Sequence, residues 1–360
     1  MSVAAPKARG WLLALGLLAF AGAMLAPFVW VSRQVAQRQV VRLTGETMGT
    51  AYSVTLVGGS SADALQIRIA ERLAELNRRL STYDPESELS QFNAAVTDAW
   101  VLVSPETARV VSYALQVAAE SAGRFDPTVG PVVNLWGFGP DGSRSEPPAP
   151  AELDEALQRV GHELVAARTD QEPALRKGEP SVYLDLSAVA KGYGVDAIAE
   201  VVELFGYSDY LVEIGGEVVG RGTKLGQPWR VGVERADAPV ADLNGQRLQT
   251  VVELRDRALA TSGDYRNFFE HDGERYSHTI DPLTGRPVDH DLATVTVLAE
   301  TCMQADALAT ALLVLGPVAG YDWAVERDIA ALFVSRSDAD DLARKATPAW
   351  IAAAPEASLP

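Results

Sequence analysis

Two side chains that could bind a metal ion lie four residues apart in the last third of the sequence. Asp306 and Thr310 belong to residues 305–315, a run that is rich in Ala and Leu, lacks Pro, and is followed by Gly316 and Pro317. This composition predicts a helix, and a four-residue step on a helix places both side chains on one face. Oxygen ligands of this type suit Mg²⁺ better than zinc. A surface or capping role explains the pair equally simply.

A second candidate segment is residues 185–196, with the sequence DLSAVAKGYGVD, where small residues join a predicted strand to a predicted helix. Backbone groups can approach a phosphate or nucleotide closely at such a junction, and Lys191 adds a positive charge. An ordinary turn with a surface lysine accounts for the same residues. The chain contains neither the GxGxxG sequence nor the Walker P-loop sequence, so it lacks the signatures of both nucleotide-binding motifs.

Further candidate residues lie in short polar segments that resemble turns. His278 begins residues 278–285, HTIDPLTG, and a histidine is the natural proton carrier near neutral pH. Residues 261–265, TSGDY, form a similar polar cluster. Tyr83 and Phe125 each lie beside acidic and turn residues, and their rings could stack on a flat heterocycle, although packing in a core is the default for an aromatic side chain.

The composition excludes several classes of protein and of site. The 360 residues carry a formal net charge of −17, and no basic stripe appears beyond the N-terminal region, which argues against a nucleic-acid partner. Cys302 is the single cysteine, so an internal disulfide framework is impossible. Four scattered histidines without paired thiols leave no zinc-finger or iron–sulfur spacing.

The N-terminal region contains a candidate membrane anchor. Residues 11–31 are almost wholly apolar and uncharged, and a helix of this length at 1.5 Å per residue is about long enough to cross a bilayer. Lys7 and Arg9 precede this segment, which predicts that residues 1–10 stay in the cytoplasm. The bulk of the chain would then lie on the periplasmic, extracytoplasmic side of the inner membrane.

Two features of the flanking sequence bear on that prediction. Arg33, Arg38 and Arg42 follow the apolar segment and weaken the charge asymmetry. Residues 21–23, AGA, could be a cleavage site, but apolar sequence continues beyond them to residue 31. This continuation favours an uncleaved single-pass anchor over a signal peptide.

Hydrophobic periodicity predicts helices and strands along the rest of the chain. Helices are expected at residues 62–80, at about residues 192–205, and from Ser104 as N-cap with Pro105 in the first turn to a break at residues 121–123. Strands are expected at residues 50–57, 181–186, 210–214, 229–234, 248–254, 275–280 and 292–298.

The order of these elements indicates the fold class. Strands outnumber helices and often follow one another, which predicts an α+β fold with a mixed or antiparallel sheet and packed helices. Residues 140–150 are rich in Pro, Gly and Ser, and they are expected to form a surface loop within one domain. Residues 346–360, rich in Ala and Pro, are expected to be a flexible tail.

Taken in order, these segments resemble the ApbE family of FAD:protein FMN transferases, which use the FMN half of FAD to modify a target protein. No single segment is specific to this family. Their collinear order over most of the chain beyond the apolar segment is specific. The resemblance implies one ApbE-like domain over residues 44–340. The matching blocks are residues 48–50, 81–83, 123–130, 185–196, 214–217, 261–265, 278–285 and 305–310.

The resemblance also implies roles for individual residues. Asp306 and Thr310 would bind Mg²⁺ through their side chains, and Ala188 would offer its backbone carbonyl. His278 would contact FAD beside the reacting pyrophosphate. Many family members carry a lipid-modified cysteine just after the signal, and none follows the apolar segment here, which leaves the mode of anchoring open. The remaining FAD contacts would be Met48, Tyr83, Arg124, Phe125, Asp126, Asp185 and Lys191.

The implied reaction is a Mg²⁺-dependent transfer of FMN from FAD to a Thr or Ser hydroxyl of an acceptor protein, with release of AMP. His278 would take the hydroxyl proton, with Asp281 or Asp264 as alternative bases, and Lys191 would balance the transferring phosphate. The acceptor would be a subunit of a membrane redox complex or an exported flavoprotein. Two alternatives remain at this stage: a Mg²⁺-dependent FAD pyrophosphatase, and a membrane-tethered FAD-binding protein without activity.

Overall fold

The computed structural model describes residues 39–58, 62–236, 248–265, 267–337 and 342–357. The predicted cytoplasmic residues 1–10 and the apolar residues 11–31 lie outside these ranges, so the anchor stays a prediction. None of the helices in the described ranges has both the length and the apolar character that a bilayer span requires.

Helices and strands alternate irregularly along the chain. The helices are α1 (Ala62–Leu80), α2 (Glu88–Ala94), α3 (Pro105–Glu120), α4 (Gly130–Leu135), α5 (Pro150–Leu157), α6 (Ala190–Leu204), α7 (Cys302–Leu315), α8 (Ala319–Glu326) and α9 (Pro348–Ala353). The strands are β1 (Val40–Thr47), β2 (Thr50–Val57), β3 (Val101–Leu102), β4 (Val165–Arg168), β5 (Ala174–Lys177), β6 (Tyr210–Ile214), β7 (Glu217–Arg221), β8 (Trp229–Glu234), β9 (Leu248–Leu254), β10 (Arg257–Gly263), β11 (Phe268–His271), β12 (Glu274–Ser277), β13 (Ile280–Asp281), β14 (Arg286–Pro287), β15 (Leu292–Ala299), β16 (Ala330–Arg336) and β17 (Leu342–Ala346).

One large antiparallel sheet organises the described residues. Eight strands pair in the order β1-β2-β6-β7-β10-β15-β16-β17, so strands from both ends of the chain lie in the same sheet. Alternate residues of each strand face opposite sides. In β16, for example, Ala331 and Phe333 pack with α7 and α8, whereas Leu332 and Val334 pack with the β8–β9 hairpin and α9. The α+β class with an antiparallel sheet and packed helices is therefore confirmed.

Helices α6 and α7 form a middle layer. Their inner sides pack on the large sheet, and their outer sides pack under α3 and the small β3-β5-β4 sheet. Because both sides of α7 are covered, most of its residues are buried and apolar. Asp306 is 3% exposed within this apolar helix. A buried carboxylate in such surroundings is costly, which makes this position a candidate for a functional role.

Many predicted elements match the structure. Helix α1 and strands β2, β6, β8 and β9 have the bounds that periodicity predicted, and α3 begins after the N-cap Ser104, whose side chain accepts a hydrogen bond from the Thr107 N–H. Helix α6 begins two residues before its predicted start and ends one residue before its predicted end. Helix α7 ends at the predicted Gly316, with φ 83°, but begins earlier, after the N-cap Thr301.

Two predicted strands are wrong. Val182, Leu184 and Leu186 are buried, but the backbone of residues 181–186 bonds with a side chain and a loop instead of with a strand. Leu184 exchanges two hydrogen bonds of 2.8 Å with the Asn93 amide, and the Asp185 N–H donates to the Pro127 carbonyl. The strand predicted at residues 275–280 is interrupted at His278 and Thr279, between β12 and β13.

The predicted flexible tail is also wrong over residues 346–357. Thr347 accepts a hydrogen bond from the Trp350 N–H and so caps helix α9, with Pro348 in its first turn. Trp350 is fully buried against β16 and the β8–β9 hairpin. The Ala-rich composition masked the helix signal of the N-cap Thr347 and Pro348. The large side chain of Trp350 anchors the helix, and a single anchoring residue produces no periodic pattern.

The closest approach of two helices in the middle layer occurs at Gly192. A methyl group added there would lie 2.7 Å from the carbonyl carbon of Cys302 and 2.8 Å from Cβ of Asp306. These atoms belong to the backbone and first carbon of α7, so they cannot move without moving the helix. Only glycine at position 192 allows α6 and α7 to cross at this distance.

We therefore expect Gly192→Ala to lower the free energy of unfolding by about 1–3 kcal/mol, because the two helices must separate. Gly194→Ala, two residues further along α6, is the matched control. A methyl group there meets only the ends of the Met48 and Ile214 side chains, at 3.2 and 3.3 Å, and these can shift. Denaturant unfolding of both variants tests the expectation, and equal stabilities would contradict it.

Candidate functional site

Three charged side chains meet where α6, β7 and α7 come together. Lys191 lies in the first turn of α6, and Glu217 begins β7 immediately after the tight turn of Gly215 and Gly216. The Lys191 ammonium forms an ion pair with Oε1 of Glu217. The backbone N–H of residue 192 donates to Oδ2 of Asp306 at 2.9 Å. The segment 185–196 is thus joined to the metal-ligand candidate by direct contact.

Burial and their mutual interactions shift the pKa values of these groups. Burial raises the pKa of Asp306, although the Lys191 ammonium and the Gly192 N–H oppose the shift. Burial also raises the pKa of Glu217 to about 7, with Lys191 lowering it and Asp306 raising it further. Burial by itself lowers the pKa of Lys191, but the two carboxylates outweigh burial and raise it. Two buried carboxylates therefore share one ammonium, which leaves room for a further positive charge.

The residues predicted to bind Mg²⁺ fit such a cation. Thr310 follows Asp306 by one helical turn, and its hydroxyl lies 2.9 Å from the Ser262 hydroxyl of β10. Ala188 lies in the turn just before α6. Within the described ranges no group of three or more His, Cys, Asp or Glu side chains could hold a metal. A site here therefore depends on one carboxylate assisted by hydroxyl and carbonyl oxygens, which are donors that Mg²⁺ accepts.

Helix α7 is fixed at its N-terminus by an acidic side chain of α6. The two carboxylate oxygens of Asp196 accept hydrogen bonds from the backbone N–H groups of Cys302 and Met303 at 2.8 and 2.9 Å. A carboxylate satisfies the free donors of a helix N-terminus and interacts favourably with its dipole. Burial nevertheless raises the pKa of Asp196 to about 6. This contact and the Gly192–Asp306 contact fix the relative position of α6 and α7.

His278 lies at the break between β12 and β13 and is half-buried. Its Nδ1 lies 3.0 Å from the Asn267 carbonyl, so Nδ1 carries the proton in the neutral ring and Nε2 is the acceptor. Phe138 contacts the imidazole edge-on at 6.3 Å between ring centres. Burial lowers the pKa of His278; the Asn267 carbonyl and Asp264 oppose this shift, and Lys191 adds to it.

The two aspartates considered as alternative bases are held by arginines. Asp264 forms a two-bonded ion pair with Arg336 at 2.8 and 2.6 Å. Asp281 pairs with Arg124 at 2.7 Å. Each carboxylate is thus already engaged in fixing a loop, whereas no hydrogen-bond partner of Nε2 of His278 lies in the described part of the chain. Of these three groups, Asp264 and Asp281 are paired with arginines, and the assignment of the base to His278 stays a prediction.

Tyr83 lies at the surface near these loops. Its side chain is 65% exposed, and its hydroxyl lies 3.5 Å from the Phe138 carbonyl. Burial and then the Asp185 charge raise the pKa of Tyr83. One carboxylate oxygen of Asp185 accepts hydrogen bonds from the Ser187 N–H and hydroxyl at 2.8 and 2.5 Å. Tyr83 is thus linked to His278 through Phe138, and the Asp185 carboxylate acts on Tyr83 through its charge.

Met48 occupies the tip of the β1–β2 hairpin. Met48 and Gly49 have φ angles of 49° and 70°, and Thr47 pairs with Thr50, which defines a tight two-residue turn. A left-handed methionine is an uncommon and strained conformation. The Met48 side chain packs against Gly194 of α6, so the hairpin tip lies beside the Lys191 turn. The FAD contacts predicted for Met48, Tyr83 and Asp185 stay predictions.

The 124–126 segment is divided between surface and interior. Arg124 is partly exposed and holds Asp281. Phe125 is 4% exposed and packs in the core beneath α3. Asp126 is buried, and its oxygens accept hydrogen bonds from Thr128 and from the His162 N–H. The structure therefore shows structural contacts for Phe125 and Asp126, and their predicted contact with FAD stays a prediction.

Sequence reasoning missed three residues of this site. Glu217 was part of a matching block, but nothing assigned it a role; an acidic residue in an otherwise apolar strand directly after Gly-Gly is the signal that could have found it. Ser262 lies within the polar segment 261–265, and its contact with Thr310 joins residues 48 positions apart. Phe138, which packs on His278, carries no local signal.

Comparisons with known proteins agree with this geometry. The ApbE family profile matches residues 48–333. A Vibrio cholerae protein named FAD:protein FMN transferase is 39% identical over 336 residues, covering 92% of this chain and 95% of that protein. The Haemophilus influenzae protein of the same name is also 39% identical and covers 84% of this chain and 88% of its own length.

Solved structures give the same result. The chain is similar to the flavin transferase ApbE from Vibrio cholerae, with a TM-score of 0.79 and 38% identity over 87% of this chain and 98% of that one. It is equally similar to the apo form of the flavinyl transferase ApbE from Pseudomonas stutzeri, with a TM-score of 0.79 and 37% identity over 88% of this chain and 96% of that one. The chain therefore belongs to the ApbE family.

Proposed function

We propose that this chain is an FAD:protein FMN transferase that moves FMN from FAD to a Thr or Ser hydroxyl of an acceptor protein and releases AMP, with Mg²⁺ as cofactor. The observation that carries the proposal is the contact of Asp306 with the Lys191–Gly192 turn of α6, one helical turn before Thr310, in a chain whose relatives bear that name. Anionic phosphates need this combination of a cation and oxygen ligands.

Each residue of the crossing has a distinct task in this proposal. Asp306, Thr310 and the Ala188 carbonyl would hold Mg²⁺, which would neutralise pyrophosphate charge and make AMP a better leaving group. Lys191 would add a point charge next to the transferring phosphate. The buried carboxylates that share one ammonium support a divalent cation here, because the protein alone does not balance their charge.

The chemical step is a phosphoryl transfer with balanced bonds. The acceptor hydroxyl oxygen attacks the phosphorus of the FMN half, the bond from that phosphorus to the bridging oxygen breaks, and AMP leaves with that oxygen. His278 takes the hydroxyl proton on Nε2, which is the acceptor nitrogen because Nδ1 donates to the Asn267 carbonyl. The depressed pKa of His278 keeps the ring neutral at neutral pH, as a base requires.

A direct assay separates the proposal from its two rivals. Full-length protein in detergent is incubated with FAD and Mg²⁺, with and without a flavin-accepting domain of a membrane redox complex. We expect covalent flavin fluorescence on the acceptor in a denaturing gel, stoichiometric AMP, and loss of both with a chelator. Free FMN and AMP without labelling would establish a pyrophosphatase instead. Intact FAD beside a proven acceptor would establish a binding protein.

We expect Asp306→Ala to lower Mg²⁺-dependent transfer by about two orders of magnitude or more, because the only carboxylate ligand proposed for the cation is removed. Asp322→Ala, which removes an exposed acid from neighbouring helix α8, is the matched control and is expected to keep full activity. Circular dichroism verifies that both variants fold. Normal transfer by a folded Asp306→Ala protein would contradict the metal assignment.

The pH profile tests His278. Because burial lowers the pKa of His278 below 6.5, its neutral base form persists into mildly acidic solution. We expect kcat/KM to decrease with falling pH only below pH 6.5. The His278→Gln variant should be slow, and its kcat/KM should lack this acidic limb. His271→Gln, in the β11–β12 hairpin that precedes His278, is the control that should keep the acidic decrease in kcat/KM. A limb that survives in His278→Gln assigns the base to another group.

The acceptor and the location of the enzyme belong to the same proposal. A membrane redox complex subunit or an exported flavoprotein is the acceptor class, and residues 11–31 would anchor the enzyme so that residues 44–340 face the periplasm. Protease added to intact spheroplasts is expected to digest the domain without lysis. A domain that resists until the membrane is broken would place it in the cytoplasm.

A further inference from the structure

Glu217 is a buried carboxylate whose described ion-pair partner is Lys191. Its side chain is 5% exposed, and Oε1 forms the ion pair with Lys191. The other oxygen, Oε2, is buried and has no hydrogen-bond partner among the described residues. A buried carboxylate oxygen without a donor costs stability. The ion pair with Lys191 is therefore the described contact between this carboxylate and the side chain of another residue.

The surroundings of Glu217 fix its carboxylate in place. Residue 217 begins β7, is paired with Ile214 of β6, and follows the two positive-φ glycines of the hairpin turn. A methyl group on Gly215 would lie 3.4 Å from Oε2 and 2.9 Å from Cγ2 of Thr50, so the turn packs closely on both residues. The carboxylate is thus held by a short, well-ordered hairpin.

Lys191, in contrast, has a long side chain with freedom to move. About a third of its surface is exposed, and it lies at the start of α6 next to Gly192. A lysine side chain loses more rotamer freedom than most when it is ordered. Asp306, whose Oδ2 is bound by the Gly192 N–H, is the second carboxylate that attracts its ammonium. Without a tether, the ammonium can turn toward Asp306 and away from a bound phosphate.

We propose that Glu217 is the positioning residue of Lys191. Through its ion pair, Glu217 keeps the Lys191 ammonium ordered and away from the Asp306 carboxylate, in the place where the pyrophosphate of FAD binds. This inference rests on the proposed FAD contact of Lys191. Glu217 itself touches neither the substrate nor the metal in this account. Its effect on FAD is transmitted entirely through Lys191.

Two physical effects of removing the Glu217 charge oppose each other. Loss of a nearby negative charge would by itself strengthen the binding of an anionic ligand. Loss of the tether makes the ligand order the lysine side chain and compete with Asp306 for its ammonium. Pre-organisation is lost in the second case, and affinity falls. The partial exposure of Lys191 weakens the first effect by solvent screening, so the second effect prevails.

A double-mutant cycle on FAD affinity tests the inference. FAD binding is measured by fluorescence titration of the full-length protein in detergent with a chelator, so that neither metal nor turnover contributes. The proteins are the wild type, Glu217→Gln, Lys191→Met and the double variant. Glu213→Gln removes an equal charge from the same hairpin and is the matched control, because its carboxylate bonds with Ser53 instead of with Lys191.

We expect Glu217→Gln to weaken FAD binding about tenfold, a change of 1.4 kcal/mol, and Lys191→Met to weaken it at least as much. The double variant should bind no more weakly than Lys191→Met alone, because Glu217 has nothing left to position. Binding of riboflavin, which lacks phosphate, should change in none of the variants. Glu213→Gln should match the wild type.

Several results would overturn the inference. An undiminished effect of Glu217→Gln in the Lys191→Met background would show that Glu217 acts independently of Lys191. Equal loss of FAD and riboflavin affinity would show general structural damage, and tighter FAD binding would show that the charge effect prevails. If Lys191→Met leaves FAD affinity unchanged, the Lys191 contact within the proposed function fails, and the inference fails with it. Absence of FAD binding by the wild type both with the chelator and with Mg²⁺ would refute the proposed function itself.

Discussion

The close crossing of α6 and α7 at Gly192 is the constraint on which the rest of this site depends. Because residue 192 has no side chain, its backbone N–H reaches the Asp306 carboxylate at 2.9 Å. The same crossing places Lys191, one residue earlier, beside that carboxylate. About one helical turn beyond Gly192 along α6, Asp196 binds the N-terminus of α7. The two contacts together leave α7 little freedom to rotate or slide.

The charge distribution follows from this packing. Helices α6 and α7 lie between the large sheet and the outer layer of α3 and the small sheet, so the groups at their crossing are withdrawn from water. Burial makes each unbalanced charge energetically unfavourable. It also strengthens the electrostatic attraction when a cation and an anionic ligand bind. An apolar middle layer with a few charged groups at one end is therefore a physical basis for binding a metal and a pyrophosphate.

The reactive side of the site is built differently. His278, Asp264, Asp281 and Tyr83 lie on turns and strand ends that arginines and aromatic rings hold in place. Loops carry such groups because a loop can aim a side chain without the regular spacing of a helix or strand. The candidate site thus combines charged groups at the crossing of two helices with a histidine on a braced turn.

The sequence alone determined the local features of this protein: the bounds of α1, β2, β6, β8 and β9, the α+β class, and the Asp306 and Thr310 pair on one helix face. Each depends on periodicity, capping or a four-residue step, which are properties of neighbouring residues. Only the tertiary structure decided the pairing of Lys191 with Glu217, the contact of Asn93 that replaces the strand at residues 181–186, and the burial of Trp350. These contacts join residues that are far apart in the chain or depend on a distant surface. Their partners are chosen by the packing of whole elements, because no local preference of the backbone specifies which distant side chain will occupy a given space.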